Sequence, residues 1–137
     1  MDHVSFPDSM TRTAYFLYYW TPALLFAVLI IGLSSIHQLP GTPTPDKVNH
    51  SAEYFLFAFF VWRALTGGRI EAFSWSRAGM IILICGAFGL LDEYYQSFIP
   101  GRVSSILDWY ADIAGIFAMI TFVLVYLNAA NKVTQPR

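Results

Sequence analysis

The residues best suited to chemistry lie at positions 92–112, in the stretch DEYYQSFIPGRVSSILDWYAD, which separates two apolar runs. The polar groups of this stretch are Asp92, Glu93, Gln96, Arg102, Asp108 and Asp112. A second polar set, at the start of another apolar run, comprises Asp46, Lys47, His50 and Tyr54. Ionisable side chains at membrane depth cost about 2.5–3.5 kcal/mol each on insertion scales, so their presence there indicates function.

Helical spacing predicts that these side chains share faces, because residues three or four positions apart are neighbours on a helix. Three series have this spacing: Asp46, His50 and Tyr54; Asp92 and Gln96; Asp108 and Asp112. We expect the three series to converge on one pocket, although their members are up to 66 positions apart in the chain.

The expected pocket has an excess of negative charge. Six acids, with Glu53 as the sixth beside the five named above, face only Lys47 and Arg102. Carboxylates in a low-dielectric pocket cannot all stay ionised without a counter-charge, so some hold protons or a cation binds.

Three uses of the pocket follow. The first is general acid–base catalysis, with the candidate catalytic residues His50, Asp92, Glu93 and Asp108. The second is a divalent cation such as Mg²⁺, Mn²⁺, Ca²⁺ or Zn²⁺, held by the same four residues. The third is binding of a headgroup, with phosphate on Arg102 and Lys47. The candidate substrate-binding residues are Asp46, Lys47, Tyr54, Gln96, Arg102 and Asp112.

Structural roles compete with each of these assignments. Arg102 could bridge Asp92 or Asp108 and fix the turn, and Lys47 could form a surface pair with Asp46. His50 could be a core histidine whose ring is held by a carboxylate.

The elements that must position these residues are membrane helices. The chain has 137 residues, of which 56% are hydrophobic and 12% charged, against about 25% charged in a typical soluble domain. The apolar runs and their Pro and Gly interruptions predict an all-α, four-transmembrane-helix bundle, with helices at residues 13–36, 47–66, 76–97 and 105–128. A cleaved signal peptide is the alternative for the first run.

The charge distribution predicts the orientation. Six basic residues belong to the side of the termini, and two, Lys47 and Arg102, to the other side. The positive-inside rule therefore predicts that both termini are cytoplasmic. A net charge of −1 without a basic patch argues against a nucleic-acid partner.

The ordered polar set resembles the VanZ-like family of small bacterial membrane proteins. The resemblance covers about residues 45–118 and includes Asp46, Lys47, His50 and Tyr54, then Asp92, Glu93, Gln96 and Arg102, then Asp108 and Gly115. The family pattern often has Asn where this chain has Asp112. The family is named for a protein linked to teicoplanin resistance, so the resemblance implies a role in the bacterial cell envelope and no established reaction.

These observations lead to one main functional hypothesis with alternatives. It is a multi-pass protein of the bacterial plasma membrane whose outward-facing pocket binds or modifies a lipid-linked cell-wall precursor or phospholipid headgroup. This could contribute to glycopeptide antibiotic resistance. Within it, a hydrolase or transferase and a non-catalytic shielding protein are both open, and a proton- or ion-coupled transporter is the third alternative.

Overall fold

The computed structural model describes residues 11–36, 46–69, 73–102 and 104–134, without the side chains of Asp46 and of residues 131–134. These residues form four α-helices and no strand: α1 (Arg12–Ser34), α2 (Asp46–Thr66), α3 (Trp75–Gln96) and α4 (Ile106–Thr134). The all-helical prediction is confirmed. The first three helices begin and end within two residues of the ranges inferred from the sequence, whereas α4 continues six residues beyond position 128. Residues 1–10, and residues 37–45 with their three prolines, lie outside the described residues.

Three of the helices are long and apolar enough to cross a membrane. They are α1, α3 and the part of α4 at Ile106–Ala130. The remaining helix, α2, is less apolar because its first two turns carry Lys47, His50 and Glu53.

Local signals set the ends of the helices. The Thr11 hydroxyl accepts a hydrogen bond from the Ala14 backbone N–H (3.1 Å) and caps α1, and Ser74 caps α3 in the same way at Arg77 (3.3 Å). Gly67 and Gly68 follow α2 with φ values of 62° and 71°, a left-handed conformation that glycine adopts without steric cost.

The least apolar helix, α2, is the central one. It packs against α1, α3 and α4, and it contributes much of the core, including Tyr54, Phe57, Ala58, Val61 and Trp62. The peripheral α1 instead exposes large aliphatic side chains such as Leu25 and Val28, as expected of a helix that faces lipid. The neighbouring helices therefore bury His50 in the first turns of α2, whereas Lys47 stays exposed.

Candidate functional site

Three helices bring His50, Glu93 and Asp112 together inside the bundle. One potential ligand atom from each side chain lies within 4.8 Å of the other two. His50 Nδ1 is 3.0 Å from Asp112 Oδ1. Asp112 is 1% exposed, Glu93 6% and His50 9%, so the group is enclosed by protein.

Close backbone contacts allow this convergence. A Cβ atom at Gly115 would overlap the Ser51 carbonyl oxygen, so α4 crosses α2 at a distance that only glycine permits at this position. On α3, a Cβ at Gly89 would lie 3.0 Å from Asp112 Oδ2 and 3.3 Å from the Tyr54 ring. These two glycines set how near Asp112 comes to α2 and α3.

Glu93 connects the site to the start of α4. Its Oε2 accepts a hydrogen bond from the Ser105 backbone N–H at 2.8 Å, one of the donors that a helix leaves unsatisfied at its N-terminus. Its other oxygen, Oε1, is buried and has no hydrogen-bond partner. Buried polar atoms are normally satisfied, so this oxygen is an exception.

Asp92 takes part in a second, adjoining network that reaches α1. Its Oδ2 accepts hydrogen bonds from the Ser34 hydroxyl (2.9 Å) and from Gln96 Nε2 (3.0 Å). Gln96 Nε2 also lies 3.2 Å from the Ser34 hydroxyl oxygen. All three side chains are buried, and Asp92 Oδ1 has no partner.

The sequence reasoning missed Ser34. It treated the first helix as an apolar span and assigned no polar residue of that helix to the site. The available signal was the pair Ser34 and Ser35 near the end of the apolar run.

Asp108 lies at the edge of the polar region and pairs with Lys47. Their Oδ1 and Nζ atoms are 3.0 Å apart, and the Lys47 side chain is 56% exposed. The structure thus ties Lys47 to Asp108, and the side chain of Asp46, the alternative partner, lies outside the described residues. Asp112 occupies the place beside His50 and Glu93 because it is one helical turn deeper than Asp108.

Arg102 contacts the main chain. Its Nη2 donates a hydrogen bond to the Leu33 carbonyl oxygen at 3.0 Å, and its Nε is buried without an acceptor. The expectation that Arg102 bridges Asp92 or Asp108 is therefore wrong. Arg102 thereby adds a side-chain donor at the end of α1, to a carbonyl oxygen that also accepts from the Ile36 backbone N–H at 3.1 Å.

Tyr54 lies one helical turn beyond His50 on α2. It is fully buried beside Gly89, and its hydroxyl group has no hydrogen-bond partner. Of the ten residues inferred from the sequence, nine have described side chains. They form adjoining groups: His50, Glu93 and Asp112 with Tyr54; Asp92 with Gln96; Lys47 with Asp108; and Arg102, which contacts the Leu33 carbonyl of α1.

Comparison with known proteins gives a eukaryotic relative. The chain is 31% identical over 117 residues to the uncharacterized protein C11E3.10 of Schizosaccharomyces pombe. The alignment covers 82% of this chain and 69% of that protein. No family model matches the chain. No solved structure matches it significantly.

This relative corrects the family, function and location inferred from the sequence. Fission yeast is a eukaryote without a bacterial inner membrane, so the VanZ-like assignment is wrong. The same finding overturns the bacterial plasma-membrane location, the role in the cell envelope and the link to teicoplanin resistance. Polar residues at helical spacing also form hydrogen bonds with one another inside a bundle, as Asp92 and Gln96 do here. Their order in the sequence therefore does not identify that family. The chain belongs to the family of the fission yeast protein C11E3.10.

Proposed function

We propose that this chain is a membrane-embedded metal-binding protein that holds a divalent transition-metal ion between His50, Glu93 and Asp112. The observation that carries the proposal is the convergence of three ligand atoms from three helices within 4.8 Å. The buried, unpartnered Oε1 of Glu93 supports it independently, because a metal ion would give this oxygen the partner it lacks.

The charge of the site also favours a cation. Asp92, Glu93 and Asp112 are all buried, and none of the three forms an ion pair with a lysine or arginine of the described residues. A buried carboxylate is costly unless it is paired, protonated or bound to a metal. A divalent ion would compensate two of these charges at once.

The ligand chemistry restricts which metal fits. One imidazole and two carboxylates suit Zn²⁺, Mn²⁺ or Fe²⁺ better than a soft ion, which prefers sulfur ligands. Ligand atoms around tetrahedral zinc are about 3.3 Å apart, given bonds of about 2.0–2.1 Å. The 3.0 Å between His50 Nδ1 and Asp112 Oδ1 is close to that spacing, so binding mainly requires Glu93 to move inward.

Three protein ligands leave a coordination position for water, as in catalytic metal sites. The site is therefore suited to activating water as well as to holding the ion. The catalytic roles of His50, Asp92, Glu93 and Asp108, and phosphate contacts by Lys47 and Arg102, stay predictions.

Metal analysis of the purified protein tests the proposal. We expect about one equivalent of Zn²⁺ or Mn²⁺ per chain by calorimetric titration. We expect Glu93→Gln and Asp112→Asn to weaken binding at least about 10–100-fold, the effect of disturbing even an outer-shell partner. Asp108→Asn is the matched control, because it removes a nearby carboxylate that pairs with Lys47. Absence of binding to the wild type, or equal losses in all three variants, would refute the metal site.

We also propose that all four helices cross the membrane, with both termini on the cytoplasmic side. The 21 residues of α2 extend about 31 Å at 1.5 Å per residue, enough for a hydrocarbon core of about 30 Å. Its packing against the other three helices supports a crossing, because they bury His50 and, of its described charged side chains, leave only Lys47, next to the first residue of α2, largely exposed.

Labelling of introduced cysteines tests this orientation. The native Cys85 is buried, which keeps the background low. Ser97→Cys and Ser76→Cys place exposed thiols at opposite ends of α3. A membrane-impermeant reagent applied on the non-cytoplasmic side of the membrane should label only the variant at position 97. Labelling of position 76 alone would reverse the orientation.

A further inference from the structure

A second feature lies at the other end of α2, about 20 Å from His50 along the helix axis. It is a cavity of about 400 Å³ between α2 and α4. Its walls include Phe59, Trp62, Phe122 and Tyr126, with Arg63 and Gly68 at the end of α2. A mostly aromatic cavity of this size with a few polar groups is typical of a small-molecule site.

The charged group in the wall of this cavity, Arg63, lacks the counter-charge that its chemistry calls for. Trp62 contributes apolar ring atoms to the wall, since its indole Nε1 has almost no accessible surface. Arg63 forms no ion pair with a carboxylate among the described residues. It donates to the Tyr18 and Tyr19 carbonyl oxygens at 3.2 and 3.4 Å, and its guanidinium carbon lies 4.9 Å from the centre of each of their rings.

These contacts orient Arg63 without neutralising it. Carbonyl oxygens and aromatic faces attract a cation but carry no full negative charge. The cavity therefore combines an apolar interior with a fixed positive charge at one end.

We infer that this cavity binds one acyl chain of an anionic glycerophospholipid. The lipid phosphate contacts Arg63, and the acyl chain lies between Phe59 and Phe122, beside the Trp62 ring. The occupant is a membrane lipid because the cavity is lined by helices that face the bilayer, where anionic headgroups and basic residues meet at the surface. The inference is independent of the metal site, since none of its residues belongs to that site.

Quenching of tryptophan fluorescence by brominated lipids tests this inference on the full chain in vesicles. Brominated phosphatidylserine should quench Trp62 with a relative binding constant about fivefold above that of brominated phosphatidylcholine, the gain expected from one basic residue at an anionic surface. The Trp62→Phe variant identifies the share of the signal that belongs to Trp62, because Trp20, Trp75 and Trp109 remain.

Charge variants decide whether Arg63 causes the preference. Arg63→Gln should remove the fivefold difference, whereas Arg63→Lys, which keeps the charge, and Arg77→Gln, which removes a charge at the same end, should retain it. Equal quenching by the two lipids in the wild type would overturn the inference. So would equal losses in Arg63→Gln and Arg77→Gln. A free brominated fatty acid that quenches as strongly as phosphatidylserine would overturn the assignment to a phospholipid.

Discussion

At the scale of single residues, Ser34 determines the environment of the Asp92 carboxylate. Its hydroxyl is one of two side-chain donors to Asp92 Oδ2, and it comes from α1, whose exposed residues are mostly large apolar side chains. Sequence reasoning found Asp92 and Gln96 because a four-residue spacing shows that they are neighbours. It missed Ser34 because no local pattern reports a contact between residues 58 positions apart.

We expect Ser34→Ala to lower the free energy of unfolding by about 1–2 kcal/mol, because a buried carboxylate loses a donor. Thermal unfolding in detergent measures the effect. Ser35→Ala is the matched control, since its hydroxyl contacts Ile31 O and Tyr95 OH at an exposed position. It should cost less than about 0.5 kcal/mol. Equal losses in the two variants would show that the bond to Asp92 carries no special weight.

The choice between Asp108 and Asp112 illustrates another limit of the sequence. Both lie on one face of α4 by spacing, and both are buried. Only the packing of α4 against α2 and α3 places Asp112 beside His50 and Glu93, and leaves Asp108 near the exposed Lys47. Depth along a helix depends on where neighbouring helices begin, which spacing within one helix does not reveal.

At the scale of elements, the position of α2 is the main feature that composition obscures. Its polar first turns make it the least convincing membrane span by composition, yet it packs against all three other helices. The helix ranges themselves were predictable because glycine, proline and charged residues interrupt the apolar runs. The arrangement was not, because it depends on close contacts such as that of Gly115 with Ser51.

We expect Gly115→Ala to separate α2 from α4 and to destabilise the protein by about 1–3 kcal/mol, the cost of overpacking a close contact. The intrinsic preference of a helix for Ala over Gly acts in the opposite direction, by about 1 kcal/mol. Gly79→Ala is the matched control on α3, where an added Cβ meets no atom within 4 Å. Denaturant unfolding should show it neutral or stabilised. A stable Gly115→Ala variant would contradict the close crossing.

At the scale of the whole molecule, the polar network and the aromatic cavity lie towards opposite ends of α2. Two adjoining networks together involve all four helices: Ser34 of α1 bonds Asp92 of α3, and His50, Glu93 and Asp112 come from α2, α3 and α4. A metal ion bound there would link α2, α3 and α4 directly. Its binding should therefore stabilise the bundle as a unit, since a ligand that binds only the folded state adds its binding free energy to folding.

We expect a chelator to lower the thermal midpoint of the metal-loaded wild type and to leave Asp112→Asn almost unchanged. Metal at 100 times its dissociation constant contributes about 2.7 kcal/mol, all of which is lost on removal. Scanning fluorimetry with and without the chelator measures both proteins. Equal shifts in the wild type and the variant would mean that the chelator acts elsewhere.

The most direct test of the metal centre is X-ray absorption spectroscopy of the metal-loaded protein. We expect one imidazole nitrogen and oxygen donors around the metal, no sulfur ligand, and loss of the imidazole signal in His50→Ala. A spectrum with sulfur from Cys85, or one that His50→Ala leaves unchanged, would contradict the metal centre.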